Sequence, residues 1–276
     1  MKAIGIIPAR LKSTRFPEKI IANLLGKPLI QWVYEEAKEA RYLEDLLVAA
    51  DEQKIVDVVQ DFGGKAVLTS KEHKNGTERA AEVAASLDAD IIVNIQGDEP
   101  LISPLSLDNL VSAFYNNSVE VATLIYPIQD KQELKDPNIV KVVIDKDNFA
   151  LYFSRAGIPY FYPVRSNPPA SPVAPDERRA GIRGTVAPPG HRGTSESLYK
   201  HIGVYAYRKD FLLLFNQLPY SKLEKAERLE QLRILENGYK IKTVLAENDS
   251  ISVDTEEDLR KVEEILCRRN GLQSDN

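Results

Sequence analysis

Along the first half of the chain the apolar positions alternate between short unbroken runs and helical spacing. Ala3–Ile7 is a short run of strand character. Leu29–Arg41 follows with helical periodicity, placing Leu29, Trp32, Val33 and Ala37 on one face. Leu46–Ala50 predicts a second strand, Gln53–Phe62 a helix stopped by Gly63-Gly64, and Lys65–Leu68 a third strand. Thr77–Leu87 predicts a helix. Asp90–Ile95 is almost continuously β-branched, the pattern of a strand buried on both faces. Repeated strand–helix order implies an α/β fold, a doubly wound sheet with right-handed crossovers.

The second half is richer in strands. Val119–Pro127, Ile139–Asp145 and Phe149–Phe153 are expected to be strands, the last two joined by the turn sequence Asp145-Lys146-Asp147-Asn148. From Tyr160 to Ser197 the pattern breaks into proline, glycine and arginine with few apolar positions. This stretch, 160–197, is expected to be a long mobile excursion within a single domain spanning 1–276. His201–Tyr207 then predicts a strand, Leu223–Glu236 one amphipathic helix, Ile241–Leu245 a strand and Glu256–Leu266 a closing helix. No internal repeat is visible.

Composition narrows the function classes. With 276 residues, 43% of them hydrophobic, the chain can bury one large α/β core. A net charge of -5 argues against a general nucleic-acid or membrane surface, so neither partner is expected. Apolar runs fall well short of the roughly 20 residues a membrane helix needs. Only a short apolar stretch precedes Pro8 and Arg10, which does not suggest a signal peptide. A single cysteine, Cys267, excludes an internal disulfide. A cytoplasmic location is expected.

Against this acidic background, the turn after the first strand carries four cations within ten residues: Arg10, Lys12, Arg15 and Lys19. In open α/β sheets ligands bind at the carboxyl ends of the strands. Concentrated positive charge there suits a polyphosphate, with guanidinium forks and a lysine point charge for its oxygens and Ser13 and Thr14 as further donors. Gly-rich phosphate-loop spacing is missing. The alternative is a solvated basic loop.

A second candidate, Gln96-Gly97-Asp98-Glu99-Pro100, ends the strand at Ile95 at the same sheet edge. Carboxylates that face phosphates normally do so through a divalent cation, which makes Asp98 a candidate metal ligand; helix capping is the structural alternative. Neighbouring side chains rarely reach one point, so Glu99 is not expected to share that role. Asp254, before the capping sequence Thr255…Asp258, could be a second metal carboxylate or only part of the cap. His73-Lys74-Asn75-Gly76-Thr77-Glu78-Arg79 opens a helix whose free N–H groups could meet a base or phosphate, with Thr77 as the N-cap in the structural alternative and His73 expected at the surface. The three histidines, His73, His191 and His201, have no serine or cysteine partner suggesting a hydrolytic triad.

These blocks, in order, resemble the 3-deoxy-manno-octulosonate (Kdo) cytidylyltransferase family: Pro8-Ala9-Arg10, Ser13-Thr14-Arg15, Lys19, Gly26-Lys27-Pro28-Leu29, Gly76-Thr77-Glu78-Arg79 and Gln96-Gly97-Asp98-Glu99-Pro100. The likeness continues in Tyr152-Phe153-Ser154-Arg155, His201-Ile202-Gly203-Val204-Tyr205, Leu229-Glu230-Gln231-Leu232-Arg233 and Val253-Asp254-Thr255. The resemblance implies a Rossmann-like mixed, mostly parallel sheet of the nucleotide-diphospho-sugar transferase type. It also implies a Mg2+-dependent homodimer that joins CMP from CTP to the anomeric hydroxyl of Kdo for lipopolysaccharide synthesis.

Carried over residue by residue, the resemblance puts Arg10, Ser13, Thr14, Arg15 and Lys19 on the triphosphate. It puts Pro8, Ala9, Gly76, Thr77, Arg79 and Gln96 around the nucleoside, and Asp98 and Asp254 on Mg2+. Gln96, Arg155, His201, Tyr205, Glu230 and Gln231 would line the sugar pocket. Lys19, Arg15, Asp98 and Asp254 would then carry the chemistry. Departures from the family pattern are Ala49-Ala50-Asp51 for Ala-Thr-Asp, Asn75 for a serine, Gly157 after Ser-Arg-Ala, and a longer 160–197 stretch. Other acidic sugars, an 8-amino analogue of Kdo or a sialate, are the alternative substrates, and a CTP-binding regulatory protein the non-enzymatic one. Arg178, Arg179, Arg183 and Arg192 are expected to face water.

Overall fold

Strict alternation decides which side each residue of the first strand faces. In β1 (Ala3–Ala9), Ala3, Ile7 and Ala9 enter one apolar cluster, while Ile4 and Ile6 enter another on the opposite face. The same division runs through β4 (Leu43–Ala50), where Leu46, Val48 and Ala50 oppose Leu47 and Ala49. A sheet buried on both faces explains why these segments read as unbroken apolar runs. The computed structural model describes residues 1–13, 15–160 and 198–270. Thr14, His191, the four arginines from Arg178 to Arg192 and nearly all of the 160–197 stretch lie outside the described residues.

Among the described residues the main sheet has nine strands. Its central path runs β11 (Ile241–Leu245), β7 (Val121–Pro127), β10 (Tyr199–Arg208), β6 (Ile91–Asn94), β1, β4, β5 (Ala66–Leu68). Four of the six pairings on that path are parallel, and β10 runs antiparallel to both its neighbours. A side hairpin of β8 (Lys141–Ile144) and β9 (Ala150–Ser154) attaches to β10. Helices cover both faces. α1 (Leu29–Lys38), α2 (Gln53–Asp61) and α4 (Pro104–Ser112) bury Ile30, Val33, Ile55, Val59, Leu107 and Leu110 on one side. α3 (Gly76–Ala85), α5 (Lys209–Phe215) and α7 (Gln231–Glu236) bury Ala80, Val83, Phe211, Leu212 and Leu232 on the other.

The structure corrects several expectations. Leu223–Glu236 is not one helix but two, α6 (Lys222–Glu227) and α7, separated where Arg228 adopts a left-handed backbone with φ 54°. The tertiary reason lies in Glu227. Its carboxylate accepts from Ser154 Oγ (2.7 Å) and from the Arg155 amide (2.9 Å), and its carbonyl accepts from Arg155 Nε (2.9 Å). Those bonds tie the end of α6 to β9. The N-cap of α3 is Asn75, whose side chain accepts from the Glu78 amide at 2.8 Å, and not Thr77. α4 starts at Pro104 and is capped by Ser103, whose side chain accepts from the Ser106 amide.

The long connection from β1 to α1 is itself structured. It contains a one-turn 3-10 helix at Lys19–Ile21 and a small hairpin of β2 (Asn23–Leu24) and β3 (Lys27–Pro28). Leu25 and Gly26 make the two-residue turn, both with positive φ (51° and 82°), as a type I′ hairpin demands. Under this hairpin lies a third cluster, where Leu24, Leu29 and Leu101 pack against Val253 and against Val262 and Leu266 of α8 (Glu256–Asn270). This packing brings a segment more than 230 residues away, around Asp254, beside Lys19.

Candidate active site

The carboxyl ends of β1 and β6 lie side by side in the sheet, and both candidate loops leave from there. Gly97 is what allows the two loops to touch. A Cβ at that position would stand 2.6 Å from Ile20 Cδ1 and 3.3 Å from the Pro8 carbonyl oxygen. The backbone of the basic turn is held by Asp51, whose carboxylate accepts from the Leu11 amide at 2.9 Å. Just before Lys19, Glu18 takes a left-handed conformation (φ 54°).

Lys19 then reaches the acids. Its Nζ donates to Asp98 Oδ2 at 2.6 Å, to the Val253 carbonyl at 2.8 Å and to Asp254 Oδ1 at 3.0 Å. An ammonium has three protons, and here each meets an oxygen. Burial works to lower the Lys19 pKa, but Asp98 and Asp254 outweigh it and hold the group above its usual value. Arg15 joins from outside, its Nη2 2.9 Å from Asp254 Oδ1, on a largely exposed side chain. The two acid-bearing segments are also bonded main chain to main chain, the Val253 amide donating to the Asp98 carbonyl at 2.8 Å.

Around this cluster opens a cavity of about 350 Å³. Pro8, Ala9, Arg10, Ser13, Arg15 and Lys19 line it from the first turn; Gly76 and Arg79 from α3; Gln96, Gly97, Asp98 and Asp254 from the acidic segments. Lys12 is exposed and does not line it. Ile20, which the sequence did not single out, lines it as well, with His73, Lys74 and Asn75 from the stretch that opens α3. Arg79 is buried and donates to Thr69 Oγ1 and, at 2.9 Å, to the Ser70 carbonyl. Burial lowers its pKa, against the opposing charges of Asp51 and Glu82.

A second cavity of about 370 Å³ shares Gln96, Asp98 and Asp254 with the first. It is lined further by Arg155, His201, Gly203, Tyr205, Glu230 and Gln231. All six residues that the resemblance puts in a sugar pocket therefore sit together. Burial drives the His201 pKa down to about 3, which keeps the ring neutral near pH 7; its Nε2 lies 2.9 Å from Thr123 Oγ1. Burial raises the Tyr205 pKa well above normal, and its hydroxyl has no partner among the described residues. Burial also raises the Glu230 pKa, partly offset by Thr77 and Arg233. Arg155 is anchored by carbonyls, donating from Nε to Glu227 and from Nη1 to Pro137, each at 2.9 Å.

Thr77 departs from what the resemblance implies for it, whereas Glu99 keeps to its expectation. Thr77 is buried and does not line the first cavity; its hydroxyl donates to Glu230. Glu99 is buried beside Asp98 but takes its hydrogen bond from Ser250 Oγ, away from Lys19. Burial first, and then the neighbouring charge of Asp98, push the Glu99 pKa up to about 8. Among the described residues no three His, Cys, Asp or Glu side chains converge into a metal-binding group.

Similarity along nearly the whole chain decides the family. A family model for cytidylyltransferases matches residues 4–241. The chain is 46% identical to a 3-deoxy-manno-octulosonate cytidylyltransferase of Chloroherpeton thalassium, over 98% of this chain and 99% of that protein. It is 44% identical to one of Geobacter metallireducens, over 97% and 99%. The chain belongs to the 3-deoxy-manno-octulosonate cytidylyltransferase family. A solved structure of CMP:2-keto-3-deoxy-manno-octonic acid synthetase complexed with CTP superposes with a TM-score of 0.82. It shares 36% identity and covers 98% of this chain and 100% of that one. The mixed, mostly parallel sheet with helices on both faces is thus the nucleotide-diphospho-sugar transferase fold, and the family's members are nucleotidyltransferases. No helix among the described residues is long and apolar enough to cross a membrane.

Proposed function

We infer that this protein transfers CMP from CTP to the anomeric (C2) hydroxyl of 3-deoxy-D-manno-octulosonate and releases pyrophosphate, the activation of an acidic sugar for lipopolysaccharide synthesis. One observation carries the reading. The cavity bearing the cationic turn and the cavity bearing Arg155, His201 and Glu230 share one wall, formed by Gln96, Asp98 and Asp254. A phosphorus atom at that wall stands between a polyphosphate on one side and a hydroxyl donor on the other.

No covalent enzyme intermediate is needed for in-line displacement at a phosphorus, so the protein acts by positioning and by charge. Arg10, Arg15 and Lys19 hold the β- and γ-phosphates and stabilise departing pyrophosphate. Ser13 and the Gly76 turn fix the nucleotide, and Arg155 meets the carboxylate of the sugar acid. Neutral His201 and Tyr205 serve as hydrogen-bond partners for sugar hydroxyls.

Asp98 and Asp254 fit a divalent ion. Both offer hard oxygens within hydrogen-bond reach of a single ammonium, and two carboxylates completed by phosphate oxygens is the usual way Mg2+ is held. When bound there, Mg2+ supplies charge neutralisation at the α-phosphate and a lowered pKa for the attacking hydroxyl. A homodimer in the cytoplasm completes this reading, and sedimentation of the purified protein tests the dimer.

The test is pyrophosphate release from CTP with Kdo, 8-amino-Kdo and neuraminate in parallel, with and without chelator. Turnover highest with Kdo and abolished by chelation supports the reading. Preference for another acid reassigns the sugar. Binding of CTP with no pyrophosphate from any acid replaces the enzyme with a regulatory CTP-binding protein.

A further inference from the structure

The first turn of α3 faces two ways. Asn75 and Gly76 line the nucleotide-side cavity, whereas the Thr77 side chain is 1% exposed and lies outside that lining. Its hydroxyl receives a hydrogen bond from Asn94 Nδ2 at 3.3 Å and gives its own proton to Glu230 Oε1. Asn94 ends β6, two residues before Gln96 on the shared wall, and its buried side-chain oxygen has no partner among the described residues. Glu230 lies in the bend between α6 and α7, which the sequence reading did not expect. Glu227 ties this bend to β9, and the relay Asn94–Thr77–Glu230 ties it a second time, to the end of β6.

We propose that Thr77 is a positioning residue for the sugar half of the site: its hydroxyl holds the Glu230 carboxyl in place for the sugar acid. This rests on the reading of that cavity as the sugar pocket. Nothing else in the hydrogen bonding described for Glu230 fixes its carboxyl, since Arg233, three residues on, commits its guanidinium to Glu224 at 2.9 Å through Nε. Without the hydroxyl, a half-buried carboxyl loses its donor, and such a loss is worth about ten- to a hundred-fold in an equilibrium or rate.

Thr77→Val keeps the shape and removes the hydroxyl, and Thr77→Ser keeps the hydroxyl and removes the methyl. Thr77→Val is expected to lower kcat/KM for the sugar acid about ten- to a hundred-fold while CTP affinity, measured by calorimetry without sugar, stays within about two-fold. Thr77→Ser is expected to restore most of the loss, and Thr77→Val on a Glu230→Gln background to add little. Equal damage to CTP affinity makes Thr77 a nucleotide contact and overturns the proposal; so does equal damage by Ser and Val, which marks a packing role.

A substrate-free measurement separates this proposal from the assignment of the reaction. In protein labelled with 13C-glutamate, the carboxyl resonance lost in Glu230→Gln is expected to move in Thr77→Val and to return in Thr77→Ser. If it does not move, the link is wrong whatever the substrate. If it moves while no sugar acid turns over in the unmodified enzyme, the link stands and the reaction assignment falls.

Discussion

On the Lys19 side of the site pairing keeps the ammonium charged, whereas on the His201 side burial works against charge. Lys19 meets three oxygens and is held above its usual pKa despite burial, with Arg15 beside it on Asp254. Across the shared wall, burial alone drives His201 down to about 3, and burial first of all raises Tyr205 and Glu230. A polyphosphate needs mobile, solvent-reachable cations that can trade partners. A sugar acid with several hydroxyls needs fixed neutral donors and acceptors, plus one cation, Arg155, clamped by carbonyls. The contrast teaches that one half should respond to charge and ionic strength and the other to shape and hydrogen-bond geometry.

The sharpest way to break that contrast is Asp98→Ala. It is expected to reduce pyrophosphate release by about a thousand-fold or more. The fold should survive, because the Asp98 main-chain carbonyl still accepts from Val253. Thermal melting and a pyrophosphate assay decide it, and near-normal turnover would remove Asp98 from the chemistry. Next, Lys19→Met is expected to lower kcat/KM for CTP by about a hundred-fold with little change in KM for the sugar acid. An equal rise in both KM values would erase the division between the two halves.

Gly97→Ala sharpens it through packing. The added methyl would stand 2.6 Å from Ile20 Cδ1, so a stability loss of about 1–3 kcal/mol is expected, with weaker CTP binding as the Lys19 turn is pushed outward. Chemical denaturation and calorimetry read both effects. Smallest is the pH response of Glu99. Its pKa of about 8 in the folded protein lies above the ordinary 4.5, so the folded state holds a proton that the unfolded state has released. That contribution is complete below pH 4.5 and is lost as pH rises to about 8. Nucleotide-free wild-type protein should therefore lose more melting temperature between pH 5 and pH 8 than Glu99→Gln does. Parallel curves would deny the shift.

Much of this was legible before any coordinates. The alternation of apolar runs gave the strands from Ala3 to Ile95 within a few residues, because a sheet buried on both faces writes itself as unbroken apolar sequence. The basic turn, Asp98 and Asp254 were legible as chemistry, and their meeting at Lys19 was foreseen only as a convergence through an ion, not as direct contact. The break at Arg228 was not legible. No glycine or proline marks it, and its cause is Glu227 bonding to residues of β9 more than 70 positions earlier. The role of Thr77 was hidden for the same reason: a threonine beside a helix start looks like a cap until Asn75 is seen to do that work and Glu230 to take the hydroxyl. Local rules found the elements, and long-range partners chose among the uses of each polar side chain.

The fully bonded ammonium of Lys19 ties the first turn to two acids from distant parts of the chain. Neighbouring carboxylates repel each other, and the lysine between them holds both in register. On the proposed reaction, a triphosphate would compete with both acids for this one ammonium, so nucleotide binding and release of the acids would be a single exchange of partners.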